Sequence, residues 1–284
     1  MKKTSSKNVF FSFATALLVL GGAVCFQALA QENEAAAGHK LNSVSISVEG
    51  DMRYISAYGV PLHAAANLKA LGIEMQPYAF RVHAKPKTAN ASTIWAPGMF
   101  FGVALDGVPI AQSFSGAWNS QENWVMRGSK ADQHGGMRQS GGRYVYTAAP
   151  AALVNKNLSH VGYAADGFPI FVSQSDTFTS SYSLKEGRRP EPPAGPGGIY
   201  DGTYLSDYVY IPRSGVLDRC NGIKVKNKYY IYIIGHEFPQ IPLCWSGVPD
   251  QSFANNDALH KTPSSNNSYK SRKAQSKRKR RVGG

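Results

Sequence analysis

The chain has 284 residues and a formal net charge of +13, long enough for one large domain or two small ones with a real core. The charge suggests a nucleic-acid partner until it is located. Lys2, Lys3 and Lys7 stand at the start, and Lys261, Lys270, Arg272, Lys273, Lys277, Arg278, Lys279, Arg280 and Arg281 all follow the last acid, Asp257. Residues 31–260 are therefore close to neutral, which removes the electrostatic reason to expect nucleic acid.

Residues 1–30 read as a secretory leader, with a basic start, an apolar stretch at 9–24, and Ala28 and Ala30 ahead of the expected cleavage. A lipidated alternative would use Cys25, but Val24 stands where a lipobox wants a small residue. No other apolar run approaches spanning length, so no membrane span is expected after cleavage and the expected location is secreted or periplasmic. Residues 31–41 form a small, polar linker, 42–250 the expected domain, and 251–284 a disordered basic tail. Export leaves Cys220 and Cys244, an even number in an oxidising compartment, and they are expected to pair.

Within the domain, Val44, Ile46 and Val48 alternate with Ser45 and Ser47, and a Glu49-Gly50-Asp51 turn leads into a second strand at 52–58. Pro61 opens a short helix predicted over 61–73, and 78–82 is extended. GVALDGVPI at 102–110 and GYAADGFPI at 162–170 then share the pattern GxAxDGxPI sixty residues apart. Asp-Gly between apolar runs signals a tight hairpin, because glycine takes positive φ without steric cost. The proline two residues on removes a ladder donor and predicts an edge or bulged return strand. Two such hairpins imply either an internal duplication or two equivalent corners of one β structure.

Between the hairpins, the glycine-rich stretch 113–142 reads as a long loop. Pro190, Pro192, Pro193 and Pro196 forbid helix, and strands resume at 203–211 and 228–234. The expected class is mainly β: an antiparallel β-sandwich or barrel-like single domain with a minor short helix and long glycine- and proline-rich loops.

Several side chains have the chemistry of a site. Asp132 and His134, in a D-Q-H run, suit a metal or acid-base work. Asp201, Asp207 and Asp218 have oxygens suited to calcium, but their spacing fits no EF-hand, and aspartates that hydrogen-bond their own turns are the favoured reading. His236 and Glu237 follow a strand, where sequential side chains face opposite ways. Tyr200, Tyr204, Tyr208, Tyr210, Tyr229, Tyr230 and Tyr232 would make a stacking platform for sugars, or simply an aromatic core. No nucleophile elbow and no phosphate-cradling loop is present in the sequence. The run Lys277, Arg278, Lys279, Arg280 and Arg281 would attract an anionic surface.

The motifs AYGVPLH, GVALDGVPI, GYAADGFPIF, SSYSL, YDGTYLSDYVYI, LDRCNG and FPQIPLCW, in that order, resemble the YHYH-domain family of bacterial secreted proteins over residues 42–250. The family's Tyr-His-Tyr-His motif would place two imidazoles on one strand face, and the resemblance therefore implies a metal-linked role. Here the matching segment is Tyr144, Val145, Tyr146 and Thr147, so the motif is degenerate and both histidines are replaced. His63 falls where the family carries a histidine after the proline. The expected function is a non-catalytic envelope or extracellular binding or structural role. The alternative is a metal-binding protein or metal-dependent enzyme in which His63, Asp132 and His134 rebuild a site for a divalent metal.

Overall fold

The computed structural model describes residues 44–255, apart from 96, 97, 129 and 227. The expected leader, the linker and the basic run at 277–281 lie outside these residues. In chain order the strands are β1 (Ser45–Glu49), β2 (Met52–Ala57), β3 (Tyr78–His83), β4 (Thr93–Ile94), β5 (Gly102–Ala104), β6 (Pro109–Ile110), β7 (Phe114–Ala117), β8 (Val125–Arg127) and β9 (Gly136–Arg138). There follow β10 (Tyr144–Tyr146), β11 (Leu158–Ala164), β12 (Pro169–Ser173), β13 (Tyr182–Leu184), β14 (Tyr208–Tyr210), β15 (Gly222–Val225), β16 (Tyr229–Ile234) and β17 (Cys244–Trp245).

The fold is mainly β, as expected, but its main sheet is mixed and does not close into a barrel. Eight strands run in the order β15-β16-β12-β11-β5-β6-β10-β9, with β10 parallel to β6 and β12 parallel to β16. A three-stranded antiparallel sheet, β1-β2-β3, is separate from it. Ile55, Phe80 and Val82 of the small sheet share one buried core with Val103, Ile110, Tyr146, Ile170 and Tyr232 of the large one. Inside that core the fully buried Trp245 donates its indole N–H to the carbonyl of Phe101 at 2.9 Å, so its polar edge is not stranded.

The GxAxDGxPI echo marks two equivalent corners of one β structure. β5 and β11 pair antiparallel with Val103 opposite Tyr163, and Gly102 and Gly162 lie one residue to either side of that pair. Each half then repeats the same register: Gly102 faces Ile110 as Gly162 faces Ile170, and Ile110 lies beside Tyr146 as Ile170 lies beside Tyr232. Tyr146 pairs with Gly136 as Tyr232 pairs with Gly222. The eight strands thus form two matching halves about a local pseudo-dyad between β5 and β11. Glycine is needed at that seam, because a Cβ on Gly102 would lie 2.5 Å from the Tyr163 carbonyl oxygen and one on Gly162 2.3 Å from that of Val103.

Four expectations need correction. Pro109 and Pro169 sit in interior strands, not edge ones, although the β11–β12 pair does carry an irregularity between His160 and Gly162; each proline is the first residue of its strand, and the parallel neighbour is paired only from the next residue on, so no ladder donor is missed. The helix over 61–73 is broken into a 3-10 turn, Leu62–Ala64, and a single α turn, α1 (Leu68–Leu71), ended by Gly72 at φ +62°. The stretch 113–142 contains the β7–β8 hairpin and β9 instead of one long loop. Finally, the packed chain continues past the expected boundary at Asp250, whose side chain accepts from Ser252 N to start the turn Gln251–Phe253, with Phe253 wholly buried against Phe80.

Cys220 and Cys244 form the expected disulfide, with Cα atoms 5.0 Å apart across a sequence separation of 24. It fastens the turn before β15 to β17. In the chain-entropy account, closing a loop of this size stabilises by about 3 kcal/mol. Urea unfolding of the Cys220→Ser, Cys244→Ser double variant is expected to show a loss of that order at unchanged m-value.

Candidate functional site

The three sequence-selected residues His63, Asp132 and His134 come together. Asp132 organises its own loop: its Oδ1 accepts from the backbone N–H of His134 at 2.8 Å and of Gly136 at 3.2 Å, which presents the His134 ring. The 3-10 turn after Pro61 brings His63 against it, with ring centroids 3.7 Å apart and planes 6° from parallel. Tyr144 closes the cluster, meeting His63 edge-on at 5.2 Å and donating its hydroxyl to both oxygens of Asp132 at 3.0 and 2.9 Å. Gln133 Nε2 lies 3.2 Å from His134 Nε2.

The arrangement differs from a ready metal site. Lone pairs of imidazole lie in the ring plane, so two parallel stacked rings do not aim at one ion. The Asp132 carboxylate is already taken by a phenol and two backbone donors. Among the described residues, no group of three histidine, cysteine, aspartate or glutamate side chains is placed to hold a metal. One feature does ask for a partner: His63 Nδ1 is buried without a hydrogen bond. Burial, and then the charge of His134, pull the His63 pKa down against the opposing pull of Asp132, so the ring is neutral at pH 7.

The pseudo-dyad supplies the same construction a second time. Asp218 Oδ1 accepts from Cys220 N and Gly222 N, each at 2.9 Å, and its Oδ2 accepts from Tyr230 at 2.8 Å. His134 in one half thus corresponds to Cys220 in the other, where the disulfide takes the place of ring stacking. The hairpin aspartates are also matched: Tyr146 donates to Asp106 at 2.7 Å and Tyr232 to Asp166 at 2.6 Å. Burial pushes both carboxyls up to about 6, with the tyrosine hydrogen bonds opposing the rise. Burial, together with the adjacent carboxylates, pushes all four phenols up. Four Asp–Tyr pairs therefore hold two equivalent turns and two equivalent hairpins.

Asp201 and Asp207 share one cation instead of pointing at an open site. Arg189 donates from Nε to Asp207 Oδ1 at 2.8 Å and from a terminal nitrogen to Asp207 Oδ2 at 2.6 Å, and also bonds Asp201. Asp207 accepts further from Gly202 N and Tyr204 N, and Asp201 from Thr203 N, which matches the turn-forming reading. Glu237 accepts from Ser180 N at 2.7 Å.

A family model described as YHYH protein matches residues 79–247, more than half of the chain. The chain belongs to the YHYH family. No curated protein and no solved structure matches it. The YHYH match runs from β3 to β17 and so takes in both halves of the pseudo-dyad, Asp132 and His134; His63 lies before it. In this YHYH chain Tyr144 and Tyr146, from the segment read as the motif's counterpart, lie on β10 and hold Asp132 and Asp106. Val145 is wholly buried in the core, and Thr147 is buried with its hydroxyl unbonded. Asp106 and Arg189 were not singled out from sequence as site residues, and the partners of Tyr146 and Tyr232 were not foreseen. A second echo carried the signal: DQHGG before YVY, and DRCNG before YIY, recur at one constant offset.

Proposed function

We propose that this YHYH-family protein is exported behind the leader at 1–30 and acts in the periplasm or outside the cell as a non-catalytic binding or structural protein. The observation that supports this is the set of four Asp–Tyr pairs. A general acid, base or metal ligand needs an oxygen free to face its reactant, and these carboxylates spend theirs on phenols and backbone N–H groups. The basic run at 277–281 would hold such a protein against an anionic surface in a salt-dependent way.

The second reading keeps His63, Asp132 and His134 as ligands of a divalent metal, and the orphaned His63 Nδ1 is what favours it. It requires one imidazole to leave the stack so that both lone pairs meet. The test is metal content by mass spectrometry, on full-length protein exported to an oxidising periplasm and dialysed against mixed copper, zinc and calcium. The expected result is substoichiometric metal, unchanged in His63→Ala. Stoichiometric metal that disappears in His63→Ala would replace the first reading by the second.

A further inference from the structure

A cleft of about 510 Å³ opens between the small sheet and the outer half of the large one. That is a size usual for small-ligand sites, roughly 300–1,000 Å³. Among the described residues, Arg53 of β2, Lys85 beyond β3 and Lys228 ahead of β16 line it, and no carboxylate does. In a body so close to neutral, three cations without an acid form a local concentration of charge. The neighbouring cleft, of about 570 Å³, shares Lys85 and is lined also by Asp51, Asp166 and Asp250, so Arg53 and Lys228 are the cations that belong to the first cleft alone.

The walls between the cations are rings. Arg53 lies over the Tyr163 ring at 4.0 Å, which fixes its guanidinium plane and leaves its N–H edges free for a carboxylate. Tyr229 stays 57% exposed, with Lys228 at 5.3 Å from its ring centre. A register shift in β11 between His160 and Gly162 turns His160 into the same cleft. There its Nε2 lies 3.0 Å from the Gly162 carbonyl oxygen. A carbonyl only accepts, so Nε2 carries the proton. Burial holds the His160 pKa down, so at pH 7 Nδ1 bears a lone pair, an acceptor for a hydroxyl group.

Cations for carboxylates, the exposed Tyr229 ring for a flat C–H surface and an imidazole acceptor for hydroxyls together describe one ligand chemistry. We propose that this cleft binds a short acidic oligosaccharide built of carboxylated sugar rings. A purely aromatic carboxylate would meet the cations and rings but give His160 nothing to accept. A neutral sugar would leave Arg53 and Lys228 unanswered. The proposal concerns a different set of residues from the His63 and His134 cluster and stands or falls apart from it.

The test is isothermal titration of the full-length protein with tetragalacturonate, with maltotetraose and benzoate as comparison ligands. The basic run at 277–281 attracts any polyanion, so the decision rests on cleft variants. Arg53→Gln and Lys228→Gln are each expected to weaken tetragalacturonate about tenfold, and His160→Phe to weaken it while leaving benzoate unchanged. Lys228 is exposed, so its variant keeps the test valid even where Arg53→Gln perturbs folding. Maltotetraose is expected to bind at least tenfold more weakly than the acidic sugar. Equal affinity of the wild type and the Lys228→Gln and Arg53→Gln variants for tetragalacturonate, or equal binding of maltotetraose, would overturn the proposal.

Discussion

Replacing Arg189 by methionine is expected to cost about 3–5 kcal/mol of folding stability, the range for breaking one partner out of a buried ion pair. Asp207 is wholly buried and Arg189 is 7% exposed, so the variant strands a carboxylate that water cannot reach. Burial alone would raise the Asp207 pKa; the guanidinium, with the backbone N–H groups of Tyr204 and Gly202, holds it below its usual value. The guanidinium does more than neutralise. It forks onto both Asp207 oxygens, reaches Asp201 and the Gly197 carbonyl, and lies 4.8 Å from the Tyr204 ring centre. Arg189→Lys keeps the charge but not the fork and should fall between wild type and Arg189→Met in urea unfolding at pH 7. A loss below about 1 kcal/mol in the methionine variant would show that the pair does not organise this segment.

Stability is expected to fall as pH rises from about 4 to about 6, opposite to the trend of most domains. Asp106 and Asp166 are the cause. In the unfolded chain an aspartate ionises near pH 4, whereas in the fold each stays protonated up to about 6. Between those values the folded state holds more protons, so raising the pH favours unfolding, by about 3 kcal/mol for each group, and the effect levels off above pH 6. Asp207 acts with the opposite sign, because its depressed pKa gives stability that is present above about pH 4 and lost as pH falls further. Urea midpoints should therefore peak near pH 4, and Asp166→Asn should remove part of the decline between 4 and 6. His63 and His160, whose pKa values burial lowers, gain stability as pH rises toward 6.5 and oppose the decline. The comparison with Asp166→Asn therefore decides: identical profiles for the two proteins would mean that this hairpin carboxyl is charged in the fold.

The readable parts of the sequence were those in which local chemistry decides the outcome. The Asp-Gly turns, the alternation at 44–48, the YYIYII strand and the paired cysteines each specify their neighbours at short range, and all formed. Convergence of His63 with His134 was suggested by family position alone, since the residues come from elements far apart in sequence. What stayed hidden was long-range pairing. No local signal says that Tyr146 will find Asp106 or Tyr232 find Asp166, because those bonds exist only once β6 lies beside β10 and β12 beside β16. The prolines misled for the same reason: whether a missing N–H matters depends on what the neighbouring strand offers at that residue. Arg189 lies in a proline-rich stretch that looks like an exposed connector, and only the buried carboxylate it answers makes it part of the core.

The matched halves give the molecule redundancy. Where the same turn is built twice, one copy is crosslinked by Cys220 and Cys244 and the other is held only by Asp132 and Tyr144. His134 occupies the tip of that uncrosslinked copy, beside β10, whose Tyr144 and Tyr146 hold Asp132 and Asp106. A protein made this way can change, lose or regain reactive side chains on one side without renegotiating its architecture, with the other side serving as its anchor.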